Sequence, residues 1–250
     1  MRFLTNLAAL IAGAALAFAV SSVMKQPSRQ SGAPEKAQLA LAVGCIEKRL
    51  DQYRATITAN CRGVARAVAS DYGFSMKLLV ENDRSAPEVS EAAQRYIEAA
   101  GLSLLEITTA DYELLSCGHF PAAAGSSVEA TGAKTGPDPV FIREKLRGEE
   151  ALTLQAKIAF DISGTTLYCI GGLIIDDAFI ASLAPSGRIS VLLKSGADVS
   201  GRTGVSSISD ITDSVMTLND VPYYAASVSL PYAGDGEAPE LLVLVEKPQR

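Results

Sequence analysis

The 250-residue chain has no tryptophan and a single histidine, His119, and aromatic residues make up only 6% of it. With one imidazole, any Ser–His or Cys–His nucleophile would have to use His119. Its four cysteines show no C-x2-C spacing and no H-x3-H pair accompanies them, so the usual zinc patterns are missing and neither a metal nor a cofactor is expected. Positive charge is also short: 22 Lys and Arg stand against 28 Asp and Glu, a formal net charge of −6. No basic stripe interleaves with aromatics, and an acidic chain repels a phosphate backbone, so nucleic acid is excluded as a partner. Beyond residue 25 there is no second apolar run of spanning length, so the chain crosses a membrane at most once.

One such run is present. Residues 3–24, FLTNLAALIAGAALAFAVSSVM, carry no charge and end at Lys25, which reads as a transmembrane anchor or a signal peptide over 1–25. The length favours an anchor, while Ala17-Phe18-Ala19 offers a cleavage site. Arg2 on the leading side keeps that end in the cytoplasm, which places residues 26–250 outside the inner membrane. A linker follows at 26–35, rich in Pro, Ser and Gly.

From Glu35 to about Ser70 there is no proline, and Leu39, Val43, Ile46, Leu50, Tyr53 and Ile57 recur at alternating steps of four and three. This predicts a long helix whose seam either packs on the chain's own globule or pairs two protomers in a homodimer. In the second case Cys45 and Cys61 meet their symmetry mates. Ser85-Ala86-Pro87-Glu88 predicts a capped helix start and Gly101 its end. LSLLEIT (102–108) and YELLSCG (112–118) read as a hairpin, and VFIREKLRG as a short helix ended by Gly148. In 151–160, Leu152, Leu154, Ile158 and Phe160 alternate with Thr153, Gln155 and Lys157, as in a half-buried strand. TTLYCIGGLII is apolar on both faces and should be a central strand. Asp176-Asp177 opens a short helix, and four further strands follow to ELLVLVEK. The class is α+β, with antiparallel sheets. Cys45 and Cys61 lie 16 residues apart on one helix, about 24 Å, too far to pair with each other. Cys117 and Cys169, both on strands in an oxidising compartment, remain as the expected disulfide.

The order of these elements, with "LSLLEITTADYELLSCGHFPAAAG", "PVFIREKLRG" and "YCIGGLIIDDAFIASL", resembles the extracytoplasmic Cache (PAS-like) sensor regions of bacterial membrane sensor histidine kinases. "CGHFPAAAG" resembles the strand end and loop after the first hairpin, and "GGLIIDDAFIASL" the strand-to-helix junction closing the distal sheet. The resemblance covers residues 36–247. It implies a long helix plus distal PAS-like domain over 36–185 and a smaller membrane-proximal β-rich subdomain over 186–250. Two departures stand out: the hairpin turns at Asp111-Tyr112 where the family uses Asp-Gly, and the chain stops at Arg250 where the family enters a second membrane helix and a kinase core.

The expected function is therefore ligand sensing for a two-component signal-transduction receptor, with no catalysis in this chain. The alternative is a membrane-anchored or secreted periplasmic interaction protein. His119 is either a hydrogen-bonded residue where strand meets loop or part of a ligand pocket. In the pocket reading Arg143, Lys157 and Tyr168 join it, and the guanidinium fork of Arg143 suits a small carboxylate.

Overall fold

The computed structural model describes residues 33–185, 188–196, 198–201, 211–212 and 214–247. The anchor and linker at 1–32 therefore lie outside the described residues. Among those described, no helix is long and apolar enough to cross a membrane.

Helix α1 (Ala33–Ala69) forms where the seam predicted it. Over 37 residues it extends about 55 Å. Leu39, Ile46, Leu50, Ile57, Cys61, Val64 and Val68 are all buried along it. Each buried Leu or Ile contributes about 1.5–3 kcal/mol. The surfaces they meet belong to the chain itself: α1 packs on two sheets in succession and on a short helix between them. The seam thus faces the chain's own globule. Cys61 is wholly buried against the first sheet and cannot meet a symmetry mate, whereas Cys45 is exposed.

After α1 come α2 (Tyr72–Ser75), a π-helical turn at Met76–Val80, α3 (Pro87–Ser90) and α4 (Ala92–Ile97). The expected serine cap does not form. Ala86 is the N-cap of α3 without a side-chain bond, and Ser85 Oγ instead donates to Asp83 Oδ1 at 2.7 Å.

The first sheet has the order β2-β1-β5-β4-β3, all neighbours antiparallel. Its strands are β1 (Leu104–Thr109), β2 (Leu114–Cys117), β3 (Val140–Leu146), β4 (Glu149–Ile162) and β5 (Thr165–Ile174), with β5 central as its two-sided apolarity required. The β1–β2 turn puts Tyr112 at φ 59°, a conformation that costs a bulky residue energy. Its ring offsets this by stacking on Tyr168, with centroids 5.6 Å apart. Gly132 fits beneath that ring because it has no Cβ; one placed there would lie 2.4 Å from a ring carbon.

The expected helix at VFIREKLRG is instead strand β3. Seven of its residues pair with β4, and Arg147 and Gly148, both at positive φ, make the two-residue turn of a hairpin. Gly148 thus serves a turn and not a helix end.

Helix α5 (Glu129–Gly132) interrupts the long connection between β2 and β3, and α6 (Asp177–Leu183) joins the two sheets. Asp176 caps α6, its Oδ1 accepting from Phe179 N at 2.8 Å. Arg49 and Tyr53 of α1 hold the helix by bonds to Ser182. The second sheet, order β7-β6-β10-β9-β8, contains β6 (Ile189–Ser195), β7 (Asp198–Ser200), β8 (Val215–Leu218), β9 (Val221–Ser229) and β10 (Glu240–Glu246). A continuous apolar cluster runs from the first sheet along α1 into the second. The edge strand β3 also bonds to the second sheet's β9–β10 connection: Phe141 N donates to Pro231 O at 2.8 Å, and Ala233 N to Phe141 O at 2.9 Å. Lys36 near the start of α1 and Lys247 after β10 lie over the same ring, Tyr224, at 6.0 and 5.7 Å. The two ends of the described chain therefore meet.

Candidate functional site

One face of the first sheet packs on α1. The other is covered by the connection 118–139, and this arrangement makes the site. Register places Cys117, Glu106, Ile170 and Lys157 side by side across β2, β1, β5 and β4 on the covered face. Thr153 and Gln155 of β4, expected on a solvated face, are fully buried here. The alternation was read correctly, but the polar side faces the covered interior.

A cavity of about 390 Å³ opens between sheet and connection, lined among others by Glu106, Cys117, His119, Val128, Thr131 and Glu144. Three polar atoms buried on this face have no hydrogen-bond partner: Glu106 Oε2, Thr108 Oγ1 and Gln155 Oε1. Gln155 Nε2 donates to Glu144 Oε2 at 2.5 Å and to Thr153 Oγ1 at 2.7 Å. A buried polar atom left unpaired costs about 1–3 kcal/mol, so this face is expensive as a purely structural core.

The electrostatics follow from burial. Loss of hydration, with Glu144 adding like charge, pushes the Glu106 carboxyl up to about 8. Glu144 is also raised, chiefly by burial. Burial and the nearby Glu106 push the Cys117 thiol up to about 12, so it is a thiol at neutral pH and no ready nucleophile. His119 is lowered, first by burial and then by Arg147. His119 Nε2 lies 3.9 Å from Glu106 Oε1, a contact between two largely neutral groups at neutral pH rather than an ion pair.

Of the four residues expected to line a pocket, only His119 presents its side-chain polar atoms to this cavity's buried cluster. Arg143 contributes to the lining, but its Nη2 bonds Ser195 Oγ of β6 and its Nη1 lies 3.9 Å from Glu150. Lys157 and Tyr168 do come together, beside the cavity. Lys157 Nζ sits 5.0 Å from the Tyr112 and Tyr168 ring centroids and donates to Tyr112 Oη at 3.0 Å and Gly132 O at 2.5 Å. This cation fastens α5 to the sheet.

The expected Cys117–Cys169 disulfide is overturned. Strand β1 lies between β2 and β5, with Cys117 opposite Glu106 and Cys169 opposite the next residue, Ile107. The two sulfurs therefore point to opposite faces of the sheet, and all four cysteines are free. Cys169 instead meets Cys61 of α1, whose contact together with burial raises its thiol well above the ordinary range.

Sequence reasoning missed Glu106 and Glu144. Glu106 has a legible signal, one carboxylate inside the apolar run LSLLEIT.

The cavity cover is wired to the long helix. Past α5, Pro137 O accepts from Thr58 Oγ1 at 3.2 Å and Pro139 O from Arg54 Nε at 3.1 Å.

No protein-family model matches the chain, and no curated protein matches it in sequence. Solved structures do. The periplasmic domain of Vibrio cholerae LuxQ superposes with a TM-score of 0.55 at 11% identity, over 83% of this chain and 99% of that one. The ligand-binding domain of the Campylobacter jejuni chemoreceptor Tlp3, solved with L-valine, gives 0.53 at 10%, over 88% and 97%. The sensor domain of the V. cholerae histidine kinase DctB gives 0.50 at 9%, over 86% and 97%. The likeness is one of fold: the chain has the long-helix, two-sheet α+β architecture of these sensor domains, which bears out the resemblance read from its sequence.

Proposed function

We propose that this chain is the ligand-sensing input region of a membrane-bound signal-transduction receptor, and that the distal cavity between the first sheet and residues 118–139 takes a small solute. The observation that carries the reading is the cavity itself. Its volume suits a small ligand, and the buried Glu106 Oε2 in its lining lacks a partner that a ligand would supply. The sensor-domain fold supports the assignment, and the solved relative holding L-valine belongs to a ligand-binding class. A carboxylate ligand loses its main argument, because the Arg143 head is tied to Ser195 and Glu150. The floor is acidic, and a ligand bearing a positive or hydrogen-donating group suits it better.

In this reading a solute favours one of two packings of the cover, and the Thr58 and Arg54 bonds transmit the choice to α1. Lys36 and Lys247 over the Tyr224 ring bring the two ends of the described residues together, so the start of α1 and the end of β10 lie on one side of the domain. An inner-membrane location, a homodimeric form and a parent histidine kinase belong to the same proposal.

The test is a thermal-shift screen of the protein against amino acids, small amines and small carboxylates. A ligand raises the melting temperature by mass action, and Ala123→Trp, which fills the cavity mouth, should abolish that rise. A ligand whose shift survives Ala123→Trp would place the binding site elsewhere. No shift with any class would remove the support for solute sensing at this cavity.

A further inference from the structure

We propose that Glu106, Cys117 and His119 form a binding site for one divalent transition-metal ion of zinc-like softness, with its remaining coordination position open to the cavity. One ligand atom from each residue lies within 4.8 Å of the others. Cys117 Sγ is 3.6 Å from His119 Nε2, and Nε2 is 3.9 Å from Glu106 Oε1. A tetrahedral centre with metal–sulfur bonds near 2.3 Å and metal–nitrogen bonds near 2.0–2.1 Å places its ligand atoms about 3.4–3.7 Å apart. Two edges of the triad thus stand within about half an ångström of a tetrahedral face, and the third, from Cys117 Sγ to the Glu106 carboxylate, lies within 4.8 Å and closes by a side-chain movement of up to about 1 Å.

The placement comes from the sheet. Glu106 and Cys117 are register partners on adjacent strands, which brings their side chains together on the covered face. His119 follows two residues after Cys117, where the chain leaves the strand, and Gly118 N anchors that exit to Leu105 O at 2.8 Å.

A second observation points to a cation. Glu106 is buried, its side chain only 4% exposed, and its Oε2 has no partner. Three nearby basic groups are engaged elsewhere, Arg147 donating to His119 O at 2.6 Å, Arg143 to Ser195, and Lys157 to Gly132 O, and the fourth, Lys145, is exposed. A metal ion would satisfy the orphan carboxylate. One sulfur, one imidazole and one carboxylate select Zn²⁺, Co²⁺ or Ni²⁺ over Mg²⁺ and Ca²⁺, which require oxygen shells. Binding is an exchange and not a redox step. The Cys117 S–H and the Glu106 carboxyl release their protons to solvent as bonds from Sγ and Oε to the metal form.

The inference names a ligand class for the cavity and rests on the sensing reading only for its use as a signal. The test is titration of the Cys45→Ser protein, freed of metal, with Co²⁺ alone. The exposed Cys45 is removed so that it cannot contribute. A thiolate-to-cobalt charge-transfer band should appear and saturate at one ion per chain, and Zn²⁺ should bleach it. Cys117→Ser should remove the band, while His119→Gln and Glu106→Gln should weaken binding by more than about tenfold. Melting curves of the metal-free variants establish folding, and His119→Gln, at a half-buried position, is the variant least exposed to a folding failure. Absence of the band, or its persistence in Cys117→Ser, overturns the site. If the band is absent while an organic solute still shifts the melting temperature, sensing stands and the metal site is refuted. A band with no organic ligand found would leave the metal as the cavity's occupant.

Discussion

Replacing Glu106 with Gln gives the sharpest stability test of the buried cluster. The folded protein holds the Glu106 proton up to about 8, against 4.5 for the free carboxyl. A group raised in this way contributes stability that is fully present below pH 4.5 and lost as pH rises through about 8, because only the unfolded chain releases the proton in between. At about 1.4 kcal/mol per pH unit, that window amounts to roughly 5 kcal/mol. This is comparable to the whole stability of a marginal domain. Gln keeps the shape of the neutral acid and does not titrate, so Glu106→Gln should match the native protein at pH 4.5 and exceed it by several kcal/mol near pH 8. Cys117, His119, Glu144 and Arg147 face the same cavity and are common to both proteins. The difference between them therefore reports Glu106 together with its coupling to Glu144 and Cys117. The assay is urea unfolding with a chelator present, followed by far-UV circular dichroism because the chain has no tryptophan. Parallel pH profiles for the two proteins would refute the buried, unpaired carboxyl.

Other positions give independent checks. Gly172→Ala should destabilise the protein by about 3 kcal/mol in the same unfolding assay, because its Cβ would lie 2.2 Å from the Leu154 carbonyl oxygen, and backbone cannot yield as a side chain can. Alkylation of the native protein should modify Cys45 alone, with Cys61, Cys117 and Cys169 reacting only in denaturant; a peptide crosslinked between Cys117 and Cys169 would contradict the strand order. Lys157→Met should cost about 1–3 kcal/mol and speed amide exchange at 128–135, since it leaves Gly132 O without its donor and removes the cation between two tyrosine rings.

What was legible in the sequence had a period. The step of three and four from Leu39 to Ile57 gave α1, and the alternation from Leu152 to Phe160 gave β4 with its faces correctly separated. What was not legible depended on which segments meet. A strand pattern says that Thr153 and Gln155 share a face, but only the connection 118–139 folding over that face buries them. VFIREKLRG, closed by Gly148, reads as a short helix, yet pairing with β4 decides its conformation. Two cysteines on strands suggested a bridge, but the position of β1 between β2 and β5 and the one-residue offset of register put their sulfurs on opposite faces. The same register, invisible in the linear chain, brings Glu106 to Cys117. The candidate site was therefore readable as a neighbourhood through His119, while its chemistry came from long-range pairing.

Amide hydrogen exchange with and without a bound ligand tests the central claim most directly, since it reports both where the ligand sits and what it reaches. The account predicts slowed exchange across 118–139 together with altered exchange in α1 around Arg54 and Thr58, whose bonds to Pro139 and Pro137 join cover to helix. Protection confined to the second sheet, with 118–139 and the Arg54–Thr58 turn unchanged, would contradict it.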